Sequence, residues 1–288
     1  MRHRRLDVER WHSESFVIRA VLKASGLYWR GRGNAERLQV RRNPVRLRRL
    51  PAAFAGFAIL HLSDLHADQN PGAMRALLRA LPALRYDLCV LTGDFRGRTF
   101  GPADATLAEM ARLCDKLHGP VYGVLGNHDA IGMVPALEAM GIHILLNESV
   151  AIERGGARLN LVGIDDAHYY RTHNIEKAAG HLQPHQCAIL LSHSAEVYRP
   201  AAHAGFSLML SGHTHGGQIC LPGSIPLHLN SRAPRRFAAG AWDCYGMAGY
   251  TSCGVGSSIV AARFNCPPEI VVHELLPAAE APASTDGR

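Results

Sequence analysis

Phe57-Ala58-Ile59-Leu60-His61-Leu62-Ser63-Asp64-Leu65-His66 runs apolar for most of its length and then turns abruptly polar. A short apolar run of this kind reads as a buried strand. Asp64 and His66 stand two apart on its extended tail, so both side chains project to one side. Asn70-Pro71 follows at once and opens a helix with Met74, Leu77, Leu78 and Leu81 on one face. The same phrase of strand, polar end and helix then recurs. Leu88-Cys89-Val90-Leu91 is the next strand, and a helical stretch runs from Pro102 through Leu117. Val121-Tyr122-Gly123-Val124 is a third strand, followed by a helix near 134–140. Beyond it, residues 150–154 and 159–162 read as a hairpin around Gly155-Gly156. Short strands at 188–191 and 208–210 have polar ends, and after Gly223 the chain is rich in Gly, Pro and short β-type runs, ending in 269–276. The pattern predicts an α/β fold in one domain, two sheets packed together with helices outside.

Five segments place metal-binding residue types directly after a predicted strand. They are Ser63-Asp64-Leu65-His66, Gly93-Asp94, Gly126-Asn127-His128-Asp129, Ser192-His193 and Gly212-His213-Thr214-His215. Functional groups of open α/β sheets gather at the carboxyl ends of the strands, so segments far apart in sequence can meet there. Each segment alone has a plain reading. An Asp after a strand commonly caps a turn or a helix, and a D-x-H or H-x-H pair arises by chance. Five such endings in one chain point to a built site.

With these residues in hand, the chain resembles the calcineurin-like metallophosphoesterase superfamily, whose motif series is D-x-H, G-D, G-N-H-D, a lone H, and G-H-x-H. All five are present in that order, and the likeness covers residues 57–275. Ile59–His66 and Ser211-Gly212-His213-Thr214-His215-Gly216-Gly217-Gln218 are most similar to the YkuE/YaeI-like bacterial phosphodiesterase branch. The resemblance implies a four-layer α/β/β/α sandwich of two mixed β-sheets flanked by helices. It implies two divalent metal ions (Mn, Fe, Zn, Ni or Co, with Mn favoured). One would be held by Asp64, His66, Asp94 and His215, the other by Asp94, Asn127, His193 and His213, with Asp94 shared. His128 and Asp129 would be catalytic, His128 beside the ions without binding them and Asp129 orienting it.

The chemistry suits that set. Two divalent ions bring about +4, and Asp64, Asp94 and a bridging hydroxide return about −3, leaving a cationic site for phosphate. Coordination brings the pKa of water from 15.7 toward ~7, which supplies a nucleophile for in-line attack at neutral pH. An uncoordinated imidazole at His128 can protonate or stabilise the leaving oxygen. No cysteine belongs to the set, and mixed imidazole, carboxylate and amide ligands do not choose among the transition metals.

Composition bounds the rest. The chain has 288 residues, 47% hydrophobic and 19% charged, which suits a folded domain with appendages; its 17 histidines are the unusual count. Residues 1–50 hold 14 Lys/Arg against 4 Asp/Glu, a net of +10 in a chain of +7, so the remainder carries −3. The expected organisation is a basic N-terminal arm at 1–50, a metallophosphoesterase domain at 51–276 and a disordered tail at 277–288. Within the arm Phe16, Val17, Ala20, Val21, Ala24, Leu27 and Tyr28 recur at helical spacing among Arg19, Lys23 and Arg30. That suits an amphipathic helix on an anionic membrane and equally a helix packed on the body. The arginine pair Arg4-Arg5 is followed by charges where a secretory signal needs an apolar run, and no stretch reaches ~18 apolar residues. Seven cysteines without a C-x-x-C pair fit a reducing compartment and read as buried free thiols. A cytoplasmic protein, peripheral at the inner membrane, is the expectation.

The expected substrate is a phosphate ester, lipid-linked or nucleotide. The alternative activity is a UDP-2,3-diacylglucosamine pyrophosphatase of lipid A synthesis; a protein phosphatase and a non-catalytic scaffold rank below it. The scaffold reading suffers from the completeness of the ligand set, and the body's net −3 counts against a nucleic-acid groove. Outside the five segments, His61 reads as a packed histidine. Asp165, Asp166, His168, Tyr169, Tyr170 and Arg171 form a loop that either covers the site or is merely solvated. Asn230, Arg232, Arg235 and Arg236 read as surface charge, with an anion-binding rim as the alternative.

Overall fold

The computed structural model describes residues 17–183 and 185–278, so residues 1–16 of the basic arm and 279–288 of the expected tail lie outside the described residues. Two six-stranded sheets form the centre. The first contains β1 (Gln39–Leu47), β2 (Phe57–Leu62), β3 (Leu88–Leu91), β4 (Val121–Gly123), β5 (Ile142–Ile144) and β14 (Glu269–Pro277) in the order β1-β14-β2-β3-β4-β5. The second contains β6 (Glu148–Arg154), β7 (Ala157–Gly163), β8 (Ala188–Leu191), β9 (Leu208–Ser211), β12 (Gly240–Cys244) and β13 (Met247–Thr251) in the order β12-β13-β9-β8-β7-β6. β10 (Cys220–Leu221) and β11 (Ile225–Pro226) make a small ribbon apart.

Both sheets are mixed. β2 through β5 are parallel, as are β7, β8, β9 and β13, while β14, β6 and β12 bring antiparallel pairings. The period-2 geometry of a strand sorts each apolar run between two cores. In β3, Leu88 and Val90 face the core between the sheets, whereas Cys89 and Leu91 face the helices Pro71–Ala80 and Asp104–Cys114. In β8, Ile189 and Leu191 face the inter-sheet core, and Ala188 and Leu190 face the outer layer with helices Ile175–Ala179 and Tyr198–His203. The layering is helix, sheet, sheet, helix.

The N-terminal region differs from the arm that its charge suggests. Gln39–Leu47 is the edge strand of the first sheet, paired parallel with β14 from Gln39↔Glu269 to Leu47↔Pro277. Val45 and Leu47 are buried in the inter-sheet core, and Arg41 Nε lies 2.6 Å from the buried Glu269 carboxylate. The arginines of this segment therefore line the solvent side of an edge strand, where charge also discourages edge-to-edge association. Before it, residues 17–24 and Leu27–Ala35 are helical, and Leu22 and Tyr28 pack on Val260 and Ala262. Among the described residues no helix is long and apolar enough to cross a membrane.

Candidate metal centre

The parallel strands of both sheets deliver the five polar endings to one place. Asp64 and His66 follow β2, Asp94 follows β3, Asn127 follows β4, His193 follows β8, and His213 and His215 follow β9. Asp64, His66 and His215 form one buried group able to hold a metal ion, and Asp94, His193 and His213 form a second, each with its ligand atoms within 4.8 Å of one another. Asn127 joins the second group through Oδ1, 3.1 Å from His193 Nε2. Asp94 Oδ2 is the shared point: it lies 3.3 Å from His193 Nε2, 3.8 Å from His66 Nε2 and 3.9 Å from His128 Nε2.

The local backbone is shaped to bring these groups together. Asp64, His66, Asp94, His213 and His215 all have positive φ, between 40° and 73°. Non-glycine residues there cost ~1–3 kcal/mol each and persist where the surroundings over-determine them. Two glycines make the close approach possible. A Cβ at Gly126 would strike the Asp94 carboxylate, and one at Gly212 would strike Ser63 and Asp64.

The donors point outward and the lone pairs inward, which is the arrangement a cation needs. His193 Nδ1 donates to the Thr92 carbonyl at 2.7 Å, His66 Nδ1 to the Arg96 carbonyl at 2.9 Å, and His213 Nε2 to the Asn230 carbonyl at 2.7 Å. The opposite ring nitrogens then face each other, His66 Nε2 to His215 Nε2 at 3.1 Å and His193 Nε2 to His213 Nδ1 at 3.2 Å. Such outer hydrogen bonds fix tautomer and ring orientation in metal-binding histidines. The donor set therefore fits two divalent ions. His215 departs from the pattern: its Nδ1 accepts from the Arg263 guanidinium at 3.2 Å, which puts the hydrogen of a neutral ring on the inward Nε2.

Burial sets the charges in competition. It works to raise the Asp94 carboxyl, but the neighbouring His193 and His128 imidazoles overturn this and hold it well below the usual carboxylate range. Burial raises Asp64 and lowers both His213 and His215. His128 is pushed down to about 4, by burial first and against the pull of Asp94, so its ring is neutral at neutral pH.

The buried Asp129 carboxylate sits among backbone amides. Its Oδ1 accepts from the Phe95 and Arg96 amides at 3.0 and 3.3 Å, and its Oδ2 from the Gly126 amide at 2.9 Å. The carboxylate thus ties the two loops that carry Asp94 and His128. The His128 amide donates to Asp94 Oδ1 at 2.9 Å, and Thr99 Oγ1 lies 3.1 Å from His128 Nδ1.

Beneath the centre runs a directional chain of hydrogen bonds. Asn43 Nδ2 donates to His273 Nδ1 (2.9 Å), His273 Nε2 to His61 Nδ1 (3.2 Å), and His61 Nε2 to Thr92 Oγ1 (2.8 Å). Thr92 Oγ1 donates to Ser63 Oγ (2.7 Å), and Ser63 Oγ to Asp64 Oδ2 (2.6 Å). One tautomer assignment satisfies every link. His61 is thus a packed histidine that also supports the site.

Of the weaker candidates, His168 reaches the centre: its ring lies 4.2 Å from that of His213, and its Nδ1 meets Glu196 at 2.8 Å. The Asp166 carboxylate folds this loop by accepting from the amides of His168, Tyr169 and Tyr170. Asn230 contributes its carbonyl, while Arg235 donates to the Pro226 carbonyl and Arg236 stacks over Phe237. Sequence reasoning missed Arg96 and Arg263, both buried arginines that border the centre. A lone arginine in a loop carries no periodic signal that would have marked either.

The family model described as calcineurin-like phosphoesterase matches residues 57–217. The chain belongs to that family. Calcineurin-like phosphoesterases are metal-dependent hydrolases of phosphoric esters, and this member's likeness extends to the bacterial branch expected from its motifs. It is 30% identical over 230 residues to the uncharacterized metallophosphoesterase YkoQ of Bacillus subtilis, covering 75% of this chain and 83% of that protein. It is 29% identical over 247 residues to phosphodiesterase YaeI of Escherichia coli, covering 77% and 83%. Against the uncharacterized metallophosphoesterase YkuE of Bacillus subtilis the identity is 27% over 239 residues, covering 78% and 81%.

Proposed function

We propose that this phosphoesterase is a phosphodiesterase that works with two divalent metals, one held by Asp64, His66, Asp94 and His215 and the other by Asp94, Asn127, His193 and His213. The observation that carries this reading is Asp94 Oδ2, within 3.3–3.9 Å of imidazoles belonging to both groups and of His128. When bound, the ions supply positive charge for the phosphoryl oxygens and an activated water. Manganese is our preferred occupant, on the family resemblance. The chain's own contribution is positioning. Asp64 is fixed by the His213 amide at 3.0 Å and by Ser63, and Asp94 by the His128 amide. His128, neutral and backed by Thr99, presents Nε2 to the centre and offers a hydrogen bond to the leaving oxygen. Asp129 keeps the His128 loop in register with the Asp94 loop.

The test is hydrolysis of bis-p-nitrophenyl phosphate against p-nitrophenyl phosphate by metal-stripped protein repleted with Mn, Zn, Ni or Mg in turn. We expect metal-dependent turnover that favours the diester. Preference for the monoester, or no turnover from folded metal-loaded protein, would remove the phosphodiesterase reading.

The natural diester is proposed to be lipid-linked, and the protein to sit peripherally on the cytoplasmic face of an anionic membrane. The N-terminal helices support this. While Leu22 and Tyr28 face the body, Val17, Val21 and Trp29 are 57%, 61% and 71% exposed, beside exposed Arg19, Lys23 and Arg30. Apolar side chains ringed by basic ones suit the interface of an anionic bilayer, where each basic residue adds ~1 kcal/mol. Flotation with phosphatidylglycerol vesicles should carry the wild type up, and the double variant Val21→Asp/Trp29→Asp should stay behind. Equal flotation of the two would assign this face another role.

A further inference from the structure

Three thiols meet around the backbone of His215 and Gly216. Cys220, Cys253 and Cys266 form a small buried cluster of their own. Cys266 Sγ donates to the His215 carbonyl at 3.1 Å, and Cys220 Sγ to the Gly216 carbonyl at 3.3 Å. A Cβ at Gly216 would lie 2.7 Å from Cys266 Sγ and 2.8 Å from Cys253 Sγ, so both sulfurs press on the same point of the chain. Buried thiols that only fill space are distributed through a core, one by one. Here three of the seven cysteines converge on His215-Gly216, a dipeptide that includes a proposed metal ligand.

Two further observations give the cluster chemistry. Cys266 is one of the residues that line a surface cavity of about 210 Å³, with Asn34, Arg37, Gln39, Arg263 and Asn265. No residue of the metal centre lines that cavity. The Arg263 guanidinium, itself fully buried, places Nη1 3.9 Å from Cys266 Sγ and Nη2 3.2 Å from His215 Nδ1. One buried side chain thus bridges the thiol cluster and the proposed ligand.

We propose that Cys266 and Cys253 form a reversible, hydroperoxide-sensitive thiol pair coupled to His215. The Cys266 thiolate attacks one oxygen of hydrogen peroxide, the O–O bond breaks, and hydroxide leaves, taking up the proton that the thiol released to give water. The Cys266 sulfenic acid so formed is attacked by the Cys253 sulfur; the S–O bond breaks, a second water leaves with the Cys253 proton, and the disulfide closes. Two thiols are oxidised by two electrons and one peroxide is reduced to two waters. Closing the bond draws the sulfurs to ~2.0 Å and takes away the hydrogen that Cys266 gives to the His215 carbonyl. Release of that anchor loosens the proposed Asp64, His66 and His215 site. This coupling rests on the reading of His215 as a ligand, whereas the thiol chemistry does not.

The full-length protein, loaded with manganese, is exposed to graded hydrogen peroxide, trapped with an alkylating agent and mapped by peptide mass spectrometry. A Cys253–Cys266 crosslink that dithiothreitol reverses is expected. It should be absent in Cys266→Ser and in Cys253→Ala, and retained in Cys114→Ser, which removes a half-buried thiol of a distant helix. Oxidation confined to Cys114, a Cys220–Cys266 crosslink, or Cys266 passing to sulfinic acid with no crosslink would each overturn the pairing. Metal content after chelator dialysis reads the coupling separately. The oxidised protein should release part of its metal ~10-fold more readily, as when an outer partner of a ligand is lost, and reduction should restore retention. A crosslinked protein with unchanged retention would overturn the link to His215 while leaving the thiol pair and the metal centre standing.

Discussion

The two halves of the centre are anchored by different means. Around Asp94, the outward nitrogens of His193 and His213 both end on backbone carbonyls, those of Thr92 and Asn230, each at 2.7 Å. Around Asp64, His66 also ends on a carbonyl, but His215 meets the Arg263 guanidinium. A carbonyl fixes the ring with its lone pair on the inward nitrogen; a guanidinium donating to His215 Nδ1 puts the hydrogen of a neutral ring on Nε2, which that ring must give up to bind an ion. One half is therefore held by main-chain geometry, the other by a side chain that also serves the Cys253, Gly254 and Gly256 carbonyls. Similar ligands need not make equivalent sites.

The largest effect should come from the residue that erases the distinction. Asp94→Asn alters the carboxylate shared by both halves, so metal content and turnover should fall together, turnover to background. Two bound ions with full activity would refute the shared role. Next comes His128→Ala, for which we expect turnover to drop by ~10²–10⁴ with metal content near that of the wild type; loss of both metals would make His128 a ligand. A staged chelator titration then addresses the comparison itself. The ion at Asp64, His66 and His215 should leave ~10-fold before the other, and the early phase should vanish in His66→Ala. An early phase lost in His193→Ala instead would reverse the order.

The smallest effect concerns the floor common to both halves. His61 is held down to about 3 by burial, and burial also lowers His273, with the His61 ring adding to it. Both rings fold neutral, whereas in the unfolded chain they take up protons below ~6.5. The unfolded state therefore binds more protons as pH falls from about 6.5 toward 3, and stability present at neutral pH is lost across that window. Each ring contributes a slope of up to ~1.4 kcal/mol per pH unit. Urea unfolding of the metal-free protein at pH 7 and pH 5 should show the loss, and His61→Asn should flatten it. An unchanged slope would mean that His61 does not bind its proton on unfolding.

Much of this is legible in the sequence. The strand endings at Asp64, Asp94, Asn127, His193 and His213 announce themselves because an apolar run stops at a polar residue, a signal confined to a few neighbours in sequence. The hairpin at Gly155-Gly156 and the helix opened by Asn70-Pro71 are local in the same way, Asn70 Oδ1 accepting from the Gly72 and Ala73 amides. Gln39–Leu47 was not readable as part of the sheet. Its arginines and Pro44 mask a strand whose partner lies more than 200 residues away, at Glu269–Pro277. Arg263, the thiol cluster and the chain from Asn43 to Asp64 share that difficulty: each joins residues that only tertiary packing brings together.

The placement of β14 has a consequence for how the molecule is made. Glu269–Pro277 lies between β1 and β2, pairing with residues 39–47 on one side and 57–62 on the other. On the ribosome the first sheet therefore waits, with β2 lacking its β14 neighbour, until residues 269–277 have emerged. Contacts of such long sequence separation are slow to form, and unpaired strand edges invite aggregation meanwhile. A nascent chain that stops short of residue 269 lacks the strand that joins β1 to the rest of the sheet, even though every proposed metal ligand has already been translated.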